Sequence, residues 1–131
     1  MVTMDVQEDL AELPAVRHWA NGILAEATLS EPENWQVVIL LDELVANAIS
    51  HGSPPITVTL TVLPDAVRGE VADGSNYLPA VGHAGSDQAG GRGMELVEKL
   101  AARWGTLIAN HGKTVWFEVA PGHNANLNRP T

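Results

Sequence analysis

Glu43, Asn47 and His51 stand four residues apart, so on a helix all three project from one face. The opposite face would carry Leu40, Leu41, Leu44, Val45, Ala48 and Ile49. A solvated polar stripe explains that pattern by default. Asn47 strains the explanation, because a mid-helix amide competes for backbone hydrogen bonds. A carboxylate one turn before an amide oxygen suits a site where oxygen ligands hold Mg²⁺ and a base orients a nucleophile. Two further groups could join it. Asp73-Gly74-Ser75 closes a predicted strand, either as a plain Asx turn or as a carboxylate accepting a hydrogen bond from a ligand amine. Gly90-Gly91-Arg92-Gly93 precedes a predicted helix, either as a flexible loop or as a backbone approach to an anion, with Arg92 as the local cation. Its spacing is that of neither a P-loop nor a dinucleotide fingerprint.

These groups need elements to position them. Leu13, Val16, Ala20, Ile23, Leu24 and Ala27 recur at helical spacing. Ser30 and Glu33 form a capping box with Pro32 in the first turn, so a second helix is expected over 32–50, stopped by Gly52, Pro54 and Pro55. Residues 56–62 alternate aliphatic side chains with threonines and read as a half-buried strand. A second strand is expected over 67–72 after a Pro64-Asp65 turn. Residues 73–93 form a connection too long to be ordinary. A helix over 94–103 and strands over 104–109 and 114–119, joined by Asn110-His111-Gly112, complete the order. That order describes an α+β, two-layer sandwich with helices on one face of a mixed, mostly antiparallel sheet. One domain over 1–120 and a loose polar tail over 121–131 are expected.

Composition narrows the classes. The 131 residues carry a formal charge of −9 with only seven Lys and Arg, too few for a phosphate-tracking stripe, so nucleic acid is not an expected partner. No cysteine is present, which removes disulfides and thiolate metal sites. The longest apolar run, 37–41, is far short of a membrane span, and Asp5, Glu8 and Asp9 are unlike a secretory leader. A cytoplasmic protein is expected. His18, His51, His83, His111 and His123 show no metal-ligand spacing.

Three ordered segments carry a family resemblance. They are residues 43–52 (Glu-Leu-Val-Ala-Asn-Ala-Ile-Ser-His-Gly), 71–75 with Pro79, and 91–97 (Gly-Arg-Gly-Met-Glu-Leu-Val). Together they resemble the GHKL, or Bergerat-type, ATP-binding domains shared by gyrase, histidine kinases and MutL. The segments 103–106 and 112–117 resemble the stand-alone actinobacterial branch, close to bacterial anti-sigma-factor serine/threonine kinases. The resemblance implies ATP and Mg²⁺ as ligands. It makes Asn47 the magnesium ligand and Glu43 the carboxylate that deprotonates the attacking hydroxyl. Asp73 would accept the adenine amino group, with help from Thr114, and the box of Gly91, Arg92, Gly93 and Met94 would face the phosphates. It also implies an anti-anti-sigma factor or a sigma factor as partner, with Arg17 at a place similar to the partner-contacting arginine of such proteins, and it is compatible with a homodimer. Asn76 departs from the proline common in the stand-alone relatives, and no arginine follows Pro79 at the usual distance. A protein kinase, a non-catalytic nucleotide-binding module and a histidine-kinase fragment all remain open at this level.

Overall fold

The computed structural model describes residues 1–75 and 89–122, with the side chains of 89–93 outside that description. Asn76, Pro79 and the 80–88 segment, the side chain of Arg92 and the tail from 123 onward therefore lie outside the described residues.

The chain opens with β1 (Val2–Val6), a 3₁₀ turn and α1 (Leu13–Leu24). Then follow α2 (Glu31–His51), β2 (Ile56–Leu63), β3 (Ala66–Asp73), α3 (Ala89–Leu100), β4 (Arg103–Ala109) and β5 (Gly112–Val119). The five strands form one sheet in the order β1-β2-β3-β5-β4. Each neighbouring pair is antiparallel, so the sheet is wholly antiparallel among the described residues rather than mixed.

Two elements depart from expectation. β1 was not expected; it adds to β2 with Met4 opposite Val58 and Val6 opposite Ile56. α3 begins at Ala89 and ends at Leu100, so Gly90–Gly93 open the helix instead of preceding it as a loop. The first N–H groups of a helix have no acceptor within it, so glycines are tolerated there.

α2 forms where its signals predict. The Ser30 hydroxyl accepts from the Glu33 N–H at 3.3 Å, and the Glu33 carboxylate accepts from the Ser30 N–H at 2.9 Å. Glu33 also accepts a hydrogen bond from the N–H of Gly122. Burial alone would raise the Glu33 carboxyl; the N–H groups of Gly122 and Ser30, with the Ser30 hydroxyl, outweigh it and hold the group below the ordinary glutamate value.

Strand alternation sorts the sheet into two faces. Ile56, Val58 and Leu60 of β2, Val67 and Val71 of β3, and Val115, Phe117 and Val119 of β5 are buried beneath the helices. They meet Val16, Ala20 and Leu24 of α1, Val37, Leu41, Leu44 and Val45 of α2, and Met94 and Val97 of α3 in a single cluster. Gly69 pairs with Phe117 across β3 and β5, and a Cβ there would stand 2.4 Å from the ring. The other face carries Thr57, Thr59 and Thr61, together with a polar group on β3, β4 and β5. There Glu118 accepts from Arg68 at 3.2 Å and from Arg103 at 2.6 Å, and Arg68 lies over the Trp116 ring at 4.2 Å.

Candidate functional site

The C-terminal end of α2 lies against the end of β3. A Cβ on Gly52 would meet the Asp73 carboxyl carbon at 2.7 Å, so helix backbone and strand-end carboxylate are in near contact. Gly52 closes the last turn of α2 by donating to the Ala48 carbonyl at 2.9 Å, and Gly74 donates to the Ser53 carbonyl at 2.7 Å, which fastens the two segments together. Sheet alternation sends Asp73 to the helix face along with Val67 and Val71. The residues read from the sequence as metal ligand and amine acceptor thus share one end of the fold.

Asp73 is buried, and both of its carboxylate oxygens are engaged. Oδ1 accepts from the Ser75 N–H at 2.8 Å, which is the Asx turn expected from Asp73-Gly74-Ser75. Oδ2 accepts from Lys113 Nζ at 2.7 Å, and Lys113 also donates to Ser75 Oγ at 2.9 Å. Thr114 was expected beside this carboxylate. The β3–β5 register instead pairs Asp73 with Lys113 and Ala72 with Thr114, so alternation turns Thr114 to the opposite face and brings Lys113 to Asp73. Lys113 is the residue the sequence reading missed. Its place beside Asp73 follows from the β3–β5 register, which no local signal at Lys113 announces. A cavity of about 440 Å³ at the β4–β5 turn is lined by Ala72, Asp73, Lys113 and Thr114, with Asn110 and His111.

On α2, Glu43 and Asn47 are both partly exposed and one turn apart. Glu43 has no ion pair among the described residues. The Asn47 Nδ2 atom is buried and has no hydrogen-bond partner there. Amide oxygen and nitrogen occupy interchangeable positions, so rotating the amide presents its oxygen at that point. An unmet polar position on an amide beside a carboxylate fits a magnesium ion, which takes oxygen ligands and keeps several waters. Asn47 would hold it. No cluster of three or more His, Cys, Asp or Glu residues placed to bind a metal occurs among the described residues.

The segment 91–94 is divided. Gly91 and Gly93 lie in the opening turns of α3, where helix N-terminal N–H groups and the dipole favour an anion. Met94 is 0% exposed, and its side chain packs in the core. Arg17 is committed to Asp42, with Nη1 at 3.0 and 3.1 Å from the two carboxylate oxygens.

Three helices thus pack on one antiparallel sheet, with a helix-borne carboxylate and amide on the element whose end meets a strand-end aspartate. The profile of the histidine kinase-like ATPase domain matches residues 6–119, and the chain belongs to that family. Among solved structures it is similar to the RsbU and RsbW domains of Rv1364c from Mycobacterium tuberculosis, with TM-score 0.68 and 19% identity over 91% of this chain. It is also similar to the histidine kinase domain of the Erythrobacter litoralis EL346 blue-light activated histidine kinase, with TM-score 0.57 and 17% identity over 90% of this chain. The chain spans 31% of the first structure and 63% of the second. No curated protein matches it. No helix among the described residues is long and apolar enough to cross a membrane.

Proposed function

We propose that this chain binds Mg-ATP beside α2 and transfers the terminal phosphoryl group to a hydroxyl of a partner protein, as an anti-sigma-factor kinase does. The observation that carries the reading is the α2 face itself. Among the described residues, Glu43 has no ion pair and Asn47 has an unmet amide valence; the two stand one turn apart, on a helix whose end packs against Asp73. Phosphoryl transfer asks the protein chiefly for positioning and charge neutralisation. Glu43 would take the proton of the attacking hydroxyl as its oxygen bonds to the terminal phosphorus, and ADP would leave with the electrons of the broken P–O bond. Bound Mg²⁺ supplies neutralisation of the phosphate oxygens. Asp73 would accept the adenine amino group. The N–H groups at the start of α3, Gly91 among them, would face the phosphates, with Arg92 as the nearby cation. The similarity to an RsbW domain supports a sigma factor or its antagonist as the partner class.

A second reading is favoured by the engagement of Asp73 with Lys113. In it the chain is a non-catalytic module that holds nucleotide weakly and acts by binding its regulator.

Calorimetric titration of Mg-ATP into the wild type and Asp73→Asn, with folding of both checked by circular dichroism, tests the nucleotide site. Saturable one-to-one binding that the variant loses is expected. No heat and no thermal stabilisation in the wild type would remove ATP from both readings.

A further inference from the structure

The carboxylate that should read the base is closed by a group of the chain itself. Lys113 Nζ lies 2.7 Å from Asp73 Oδ2 and 2.9 Å from Ser75 Oγ, and the Asp73 and Lys113 side chains are only 3% and 5% exposed. Backbone also crowds this strand end. A Cβ on Gly52 would stand 2.8 Å from Asp73 Oδ2, one on Gly74 would stand 2.6 Å from the Pro54 carbonyl oxygen, and one on Gly112 would meet the Asp73 carbonyl oxygen. Gly112 holds a φ of +154°, a conformation that a side chain would strain. Backbone walls cannot yield to an incoming base. The lysine can, because its ammonium rides on a flexible four-carbon stem. The cavity lined by Lys113, Asn110 and His111 lies beside it and gives the stem somewhere to go.

We propose that Lys113 determines ligand selection at this site: its ammonium occupies the seat of a nucleobase amino group on Asp73, and a base binds only by displacing it. This rests on the reading of Asp73 as the base acceptor. An exocyclic amine is a neutral donor, so the exchange gives up the ion pair and keeps only a hydrogen bond to the ionised carboxylate. Affinity is therefore lower than a carboxylate free of the lysine would give. A base that presents only an acceptor to Asp73 gains nothing from the exchange and is rejected.

Two measurements test the displacement. The first is Mg-ATP affinity of Lys113→Met, which keeps an unbranched stem of similar length without the ammonium. Binding at least tenfold tighter than the wild type is expected; equal or weaker binding by a folded variant overturns the inference alone. The second uses the wild-type chain and needs no substitution. Lys99 is the only other lysine, and it is exposed, so it serves as the internal control for amine acylation followed by peptide mass spectrometry. Saturating Mg-ATP should raise the acylation rate of Lys113 severalfold and leave Lys99 unchanged. An unchanged or slower rate at Lys113 means that the ammonium stays in place, and displacement is wrong. If neither the wild type nor Lys113→Met binds Mg-ATP, the nucleotide reading itself falls and takes this inference with it.

Discussion

Arg17 of α1 places one guanidinium nitrogen on both carboxylate oxygens of Asp42, at 3.0 and 3.1 Å, and so ties α1 to the turn of α2 that carries Glu43. The pair is partly open to solvent, with side-chain exposures of 43% and 29%. Exposed ion pairs contribute little because water and salt screen them. Arg17→Met should therefore lower unfolding stability by less than about 1 kcal/mol in urea denaturation. A larger loss would mean that the pair, more than the apolar contacts of Val16 and Ala20, holds α1 in place.

Glu43→Ala should abolish phosphoryl transfer to an acceptor protein while Mg-ATP affinity changes by less than about threefold, since the carboxylate acts on the attacking hydroxyl. Single-turnover transfer of labelled phosphate, paired with calorimetry, separates the two effects. Undiminished transfer in the variant would take Glu43 out of the chemistry.

Asn47→Leu should uncouple stability from ligand binding. The buried Nδ2 atom, without a partner among the described residues, is a cost in the unliganded protein, so removing it should leave stability unchanged or raise it by roughly 1 kcal/mol. The same variant should lose the difference in ATP affinity between magnesium and excess EDTA. A variant that still binds ATP more tightly with magnesium would place the ion on other ligands.

The Ser30–Glu33 cap sets an acid-side signature. Glu33 is held below the ordinary glutamate value in the folded chain, so its stabilising contribution is fully present above the unfolded-state value. It is lost as the pH falls through the lower, folded-state value. Ser30→Ala should cost about 1 kcal/mol at neutral pH. Glu33→Gln should flatten the fall in stability on that acid limb, which urea titrations at successive pH values can follow. An identical acid limb in Glu33→Gln would dismiss the carboxylate as its source.

Gly69→Ala should be costly out of proportion to one methyl group. The added Cβ would stand 2.4 Å from Phe117, a side chain that is 0% exposed and has little room to retreat. Overpacking of this kind costs roughly 1–3 kcal/mol. A melting temperature equal to that of the wild type would show that the ring can shift without loss.

How much of this was legible before the structure differs by element. α2 was, because Ser30, Pro32 and Glu33 are local signals that act within one turn. β2 was, because threonines alternating with aliphatics announce a half-buried face, and β3 followed as its partner across the Pro64-Asp65 turn. β1 was not. Five residues containing Asp5 become a strand only when the edge of β2 is there to receive them, with the Thr3 and Thr59 hydroxyls 3.0 Å apart. The start of α3 was obscured by glycines with poor helix propensity, which cost least in an opening turn. Glu43, Asn47 and Asp73 could be picked out by residue type and spacing. Lys113 could not, because its partnership with Asp73 depends on the register between strands forty residues apart. Shifting that phase by one residue exchanges Lys113 for Thr114.

Trp104 of β4 donates its indole N–H to Glu98 of α3 at 2.8 Å. α3 is the helix that opens on Gly90–Gly93, so this bond makes an indole chromophore part of the helix's own anchorage. Any tilt of α3 that breaks the bond changes the polarity felt by the ring, and with it the wavelength and intensity of its emission. The fold thus carries an intrinsic optical gauge of its glycine-rich helix, readable in the native chain without an added dye. Trp104→Phe supplies the blank that isolates its signal from those of Trp19, Trp35 and Trp116.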